Sequence, residues 1–513
     1  MTIHLQDQYH SLLEFGFKSL KEENMKTLPK IFITLFLSLS TLSCSKWVEV
    51  KPIDRLGEDQ LFVNSAGFMK ALNGVYVEMA HENLYGQHMS AGALDVLAQY
   101  YYIKMSTHVF EKFTVFAYTD ANVKATFSTV WAKAYELIAN CNIIIEKCDA
   151  VSTDVLPPAY YNMVKGEALA LRAMIHLDML RLFGPIYTAE NKDKPSIPYV
   201  NKTGYEVTPL LGSVEVMSQV KADLEAALVL LEADPVRTEG VRNQPNTAGP
   251  NDFHYRQYRL NYYAAKALLA RAYLWEGDRT QALKHAEEIL SEVQTTEKPK
   301  FPYVTFAAAT SVDKPDRMFS TEVMFGVYNI ARSEMYRRLF DVSLLPNSKL
   351  SFSEGDVNDT RVRAYYDDNN DFRRRIWQSA STGINTATTN MKYADIVDGP
   401  ARYMIPLIRL SELLLIAAEC HPDLATATKY FNELRTARNA VSLSPSDPTV
   451  LKAEIVKEFR REMLGEGQLF FFYKRNARQS IPNAAVLGVT PEKTMVLNNY
   501  VVPLPDEEIA QRN

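Results

Sequence analysis

The chain is short of the residues that mark several common protein classes. Its 513 residues include only 4 cysteines, 9 histidines, 4 tryptophans, 20 glycines and 24 prolines. So little glycine and proline excludes a collagen-like or low-complexity chain. The histidines are scattered, and no cysteine has metal-ligand spacing. Cys141 and Cys148 are seven positions apart on a predicted helix, about 10 Å along its axis at the standard rise. That exceeds the reach of a disulfide. With Cys420 they read as small buried residues. An excess of positive charge is missing too. With 56 Lys+Arg against 61 Asp+Glu, a net charge of −5 and no long basic run, a dedicated nucleic-acid binder is excluded.

Catalytic signatures are also lacking. The chain has no Walker loop, no G-x-S-x-G, no H-E-x-x-H and no dinucleotide glycine pattern, and His81-Glu82 has no second histidine. No metal, cofactor or enzymatic activity is therefore predicted. Asp367, Asn369 and Asp371 echo the start of a calcium loop. Phe372 stands at the sixth position instead of glycine and Gln378 at the twelfth instead of glutamate, so a solvated loop is the better reading.

Long hydrophobic runs are scarce. The N-terminal run Ile31–Leu42 has twelve residues, whereas a bilayer span needs roughly 20. Lys26 and Lys30 precede it and Ser43-Cys44 follow, the pattern of a secretory signal peptide over residues 1–43, with Met25 read as the true start. The TLSC stretch resembles a lipobox, although Thr41 occupies the usual leucine place. Cys44 is then the lipidated first residue and 44–60 a tether, which anchors a protein to a membrane without spanning it.

What the chain has in quantity is 28 tyrosines and 24 phenylalanines within a typical globular composition. Tyrosine buries an apolar ring yet offers a hydroxyl, which suits wet binding surfaces as well as cores. After the tether, period-3.6 patterns predict a mainly α protein. Asn64 caps a helix with Phe68, Leu72, Val75, Tyr76 and Met79 on one face, and Asp120 caps the next. Residues 159–183 form a third helix, stopped by Gly184-Pro185, and 213–232 a fourth. Residues 259–292 read as two antiparallel helices about Gly277-Asp278, with Ala267, Ala270 and Ala282 allowing close approach. A similar pair is expected over 403–439. These look like tetratricopeptide helix pairs, about four in all, stacked as a solenoid over 61–299 and 401–513. Residues 300–400 are too long a stretch for an ordinary connection and read as an irregular, loop-rich subdomain with a few short strands, one at Glu322–Tyr328.

Binding usually resides on loops set on a rigid frame. A flat ring can stack on the C–H face of a pyranose while a neighbouring Asp, Asn or Arg bonds its hydroxyls. Asp95, Tyr100, Tyr101, Tyr336 and Trp377 are the candidates. In Tyr100-Tyr101-Tyr102, three consecutive rings cannot all face one way, so at least one is expected at the surface.

Four segments carry a resemblance to a known family. They are Cys44 with the SKWVEVKP after it; Lys165-Gly-Glu167-Ala-Leu-Ala-Leu-Arg172-Ala173 through Arg181-Leu-Phe183-Gly184; Pro406-Leu-Ile-Arg409-Leu-Ser-Glu412 through Glu419, followed by Leu434-Arg435-Thr-Ala-Arg438; and Glu458-Phe-Arg460-Arg461-Glu462 through Gly465-Glu466-Gly467 and Lys474-Arg475. In this order they resemble the SusD/RagB-like outer-membrane lipoproteins of Bacteroidetes, and Pro503-Leu-Pro505 through Ile509 looks like that family's closing segment. Gln468 departs from a common histidine, and the chain stops at Asn513 before the family's usual final asparagine- and proline-rich residues. These motifs read as helix locks, with Arg409 and Glu412 spaced to pair on one helix. The resemblance implies a lipid-anchored protein at the outer membrane, facing outward. Such a protein binds a glycan, performs no catalysis and passes its ligand to a SusC-like TonB-dependent transporter. Peptide cargo, a surface hydrolase and a pure assembly scaffold are the competing readings.

Overall fold

The computed structural model describes residues 58–512, apart from 296, 357, 359, 383–384 and 488–491. Cys44, the signal segment and the tether as far as residue 57 lie outside the described residues. From Asp59 onward the chain forms one compact unit.

Eight helices pack in chain order, each against the next. They are Ser65–Met79, Ala121–Ala150, Pro158–Phe183, Ser213–Leu230, Tyr262–Glu276, Arg279–Val293, Leu410–Cys420 and Leu424–Ala437. This is the expected solenoid, four pairs long. Its local causes are those in the sequence. The Asn64 side chain accepts from the Gly67 N–H at 3.0 Å, and Asp120 from Asn122 at 3.0 Å, supplying acceptors that the first helical turn lacks. Gly277, at φ +89°, makes the left-handed turn between two helices. Ala267, Ala270, Ala282, Ala417, Ala418 and Ala427 are all buried where the helices meet. Cys141, Cys148 and Cys420 are unpaired and buried, and burial pushes each thiol up to about 12. Among the described residues, no helix is long and apolar enough to cross a membrane.

The irregular stretch enters the array between its sixth and seventh helices. Val323–Tyr328 is a strand, as expected, but its partner is a surprise. Met404–Arg409, predicted as the start of a helix, is a strand antiparallel to it. Pro406 has no N–H to give a helix, Ile405 and Ile408 are β-branched, and all six residues are buried, so no amphipathic helical face exists. A three-stranded sheet places Asn385–Asn390 between Ser351–Glu354 and Trp377–Thr382.

The motif residues do lock helices, though not always with the expected partner. Arg409 sits at the end of the strand and pairs with Glu462 and Glu466, while Glu412 pairs with Arg271. Arg172 forms a two-point pair with Asp223, 2.7 Å on each arm. Lys474, fully buried, donates to the carbonyls of Gly184 (2.6 Å) and Leu182 (3.1 Å), satisfying the end of Pro158–Phe183.

Candidate functional site

Three consecutive arginines, Arg373, Arg374 and Arg375, lie on the short 3-10 helix Phe372–Ile376. With three residues per turn, successive side chains leave such a helix about 120° apart. Arg373 points inward and is fully buried. Its Nη1 donates to Glu462 at 2.9 Å, its Nη2 contacts Glu458 at 2.6 Å, and its Nε and Nη2 reach Asp371 at 3.0 and 2.6 Å. Burial alone would raise the Glu462 carboxyl, but Arg438, Arg409 and Arg373 outweigh it and hold it well below the usual carboxylate range. Arg438 adds a two-point pair to Glu322 at 2.7 and 2.6 Å. This buried network fixes the floor from which the other two arginines emerge.

Arg374 and Arg375 face a cleft of about 400 Å³, lined also by Phe306, Arg363, Asn369, Asn370, Trp377 and Asn439. Each wall has a local cause. Thr305 caps the short helix Phe306–Ala309 by accepting from the Ala308 N–H, and Phe306, its first residue, is 49% exposed. Asn439 sits in the left-handed region at φ +59° and donates to the Asn370 carbonyl at 3.0 Å, pinning the loop before the arginines. The Val441 N–H donates to Asp368 at 2.6 Å and pins it again. Arg374 donates to Asn369 Oδ1 at 2.6 Å, and the Arg375 guanidinium lies 5.6 Å from the Phe306 ring centre. An open ring, three amides and several guanidiniums in one cleft make a surface that can stack on a flat apolar face and bond the polar groups around it. A smaller concavity of about 280 Å³, beside Glu419 and Phe472, offers less: Phe472 is buried against Phe459 and Glu419 is paired with Arg475.

The five predicted residues do not form one site. Asp95 is fully buried; it accepts from the N–H groups of Gly465 (2.7 Å) and Gly467 (3.2 Å). Burial pushes its carboxyl up to about 8 in spite of those bonds. Gly467 has φ +68°, and a Cβ there would come within 2.2 Å of the Met89 carbonyl, so Asp95 clasps a turn that glycine alone can make. Tyr100 and Tyr101 are 0% exposed and Tyr102 is buried as well, which corrects the expectation of a surface-facing ring. The segment runs between packed layers and both of its faces are covered. The Tyr100 hydroxyl donates to the Arg460 carbonyl at 2.8 Å, and Tyr101 accepts from Asn390 at 3.4 Å. Tyr336 is half-buried on Arg332–Leu339, donates to the Met391 sulfur at 3.3 Å and lies outside the cleft lining.

Trp377 does line the cleft, as a wall. It is 6% exposed, stacked on Phe352 at 4.2 Å, and its indole N–H donates to Tyr366 at 3.3 Å. The supposed solvated loop is more engaged than expected: Asp371 is buried against Arg373, and Asp367 pairs with Arg435 and Arg461. Sequence reasoning missed Phe306, Arg363, Asn370, Arg374, Arg375 and Asn439. The available signal was the unbroken run of three arginines; that the three aspartates before it are engaged by other groups is decided only in the fold.

Comparison with known proteins bears on residues 46–511. Residues 46–274 match the model of a SusD-like family described as starch-binding and associating with the outer membrane, and residues 240–511 match the model of the SusD family. A SusD-like protein of Formosa agariphila is 22% identical over 58% of this chain; the match spans about half (51%) of that relative's length. A SusD superfamily protein from Bacteroides thetaiotaomicron superposes with a TM-score of 0.65 at 20% identity, over 87% of this chain and 98% of that one. Surface glycan-binding protein A from the same organism, solved with laminarihexaose, gives 0.62 at 17% identity, over 87% and 98%.

Proposed function

Since the chain belongs to the SusD family, we propose that it is a glycan-capture lipoprotein of the outer membrane, anchored through Cys44 and exposed to the exterior. It binds an oligosaccharide or polysaccharide in the Phe306–Trp377 cleft and delivers it to a SusC-like TonB-dependent transporter. The observation that carries this reading is the cleft itself: an accessible aromatic ring beside amide and guanidinium groups on a scaffold locked by buried ion pairs. The description of the matching family model and the glycan bound by one structural neighbour support it. Capture without cleavage is consistent with the chemistry present. Asp371, the one carboxylate among the described lining residues, is bound by the Arg373 guanidinium.

The test is a binding screen with soluble protein starting at Ser45, run against a polysaccharide panel in affinity gels, with calorimetry on each hit. Saturable binding with the glycan recovered at full length is expected. Shortening of the glycan would overturn the non-catalytic role. Binding of peptide digests in place of any glycan would overturn the cargo.

A further inference from the structure

The cleft has a charge as well as a shape. Arg363, Arg374 and Arg375 all line it, and among the described residues none of the three has a carboxylate within 4.0 Å. The nearby acids are already committed. Asp371 is held by Arg373, and Asp367 by Arg435 at 3.2 Å and Arg461 at 3.3 Å. Asp368 takes the N–H groups of Asn370 (2.8 Å) and Val441 (2.6 Å). Even with Asp368 counted, the cleft keeps an excess of positive charge. Several arginines elsewhere are neutralised by carboxylates, Arg172 by Asp223, Arg256 by Glu167 and Asp234, and Arg271 by Glu412, while the buried Arg332 and Arg361 are held by backbone carbonyls. The Nε of Arg374 is shielded from solvent and has no acceptor.

Guanidinium is a donor only, with a planar fork that fits two oxygens of one anionic group. A neutral sugar hydroxyl can accept from a guanidinium but leaves the positive charge of the cleft without a counter-charge, which an anionic group supplies. Resting on the reading that this cleft captures a glycan, we propose that the glycan is acidic: it carries uronate carboxylates or sulfate esters. Arg363, Arg374 and Arg375 receive the anionic group while the Phe306 ring takes an adjoining sugar face.

Calorimetry on matched pairs tests this. One arm compares polygalacturonate oligomers with their methyl esters, and the other compares a sulfated galactan with its desulfated form. In at least one arm the acidic member is expected to bind about tenfold tighter or more, as one charge-assisted contact provides. That preference should shrink as salt is raised. The variant Arg374→Gln/Arg375→Gln should lose the preference while keeping its thermal midpoint. The arm that responds identifies carboxylate or sulfate. Equal affinity within both pairs would overturn the acidic specificity and leave glycan capture standing. Failure to bind any neutral or acidic glycan would overturn the capture reading itself. An acidic preference that survives in the double variant would overturn the assignment to this cleft.

Discussion

Arg373 and Arg375 stand two residues apart, yet Arg373 is fully buried against Glu462 and Arg375 is exposed at the cleft. Replacing each should separate stability from binding. Arg373→Met leaves Asp371, Glu458 and Glu462 buried with one cation fewer. Breaking a buried pair on one side costs about 3–5 kcal/mol. Arg375→Gln should change stability by less than about 0.5 kcal/mol, as surface substitutions do. Urea unfolding midpoints of the two variants check this, and equal midpoints would contradict the division of roles.

Phe306 presents its ring to the cleft and touches the core only through an edge contact to Phe372, centroids 6.3 Å apart. Phe306→Ala should lower glycan affinity by about 1 kcal/mol, roughly fivefold in Kd, on the scale of an aromatic stacking contact. Its unfolding midpoint should match the parent protein. Calorimetry beside thermal unfolding measures both, and unchanged affinity for every bound glycan would remove Phe306 from the site.

Tyr101 should behave in the opposite way. Its ring packs against Phe340 with centroids 5.5 Å apart in the core. Tyr101→Ala should cost about 3–5 kcal/mol, as for other large aromatic truncations. Tyr101→Phe removes the hydroxyl's contacts to Asn390 and to the buried Asp95 and should cost about 1–2 kcal/mol. Neither folded variant should alter glycan affinity. A Tyr101→Ala protein of normal stability and weakened binding would return this residue to the ligand site.

Two buried carboxyls give the stability a dependence on pH with opposite signs. Glu462 is ionised in the folded state well below its ordinary range. Its contribution is therefore present above about pH 4.3, the unfolded value, and is lost as pH falls further. Asp95 keeps its proton in the folded state up to about 8, while the unfolded chain releases it near about 3.9. Its favourable contribution is complete in acid and is lost as pH rises from about 4 to about 8. Urea midpoints should fall steeply below about pH 4 and decline again toward about pH 8. In Asp95→Asn the second decline should flatten. Identical profiles for parent and variant above about pH 5 would show that Asp95 is ionised in the folded protein.

Much of the scaffold was legible because its causes are local. Asn64, Asp120, Gly277 and the alanines at helix contacts act within one or two turns, and period, caps and stops are written in consecutive residues. The strand Met404–Arg409 was not legible. Its neighbour Val323–Tyr328 lies some eighty residues earlier in the chain, and only pairing with it decides against a helix.

The sequence alone determined the residue types, the helical array and the family, because these rest on spacing and order. Tertiary structure decided which side chains meet water. Asp95, Tyr100 and Tyr101 have the chemistry of a sugar site but are enclosed by segments some 290 to 370 residues away. Arg373, Arg374 and Arg375 are chemically identical, yet one is a core ion and two line a cleft. Exposure depends on what packs over a residue, and in this chain the covering segments are remote in sequence, so no local pattern could assign it.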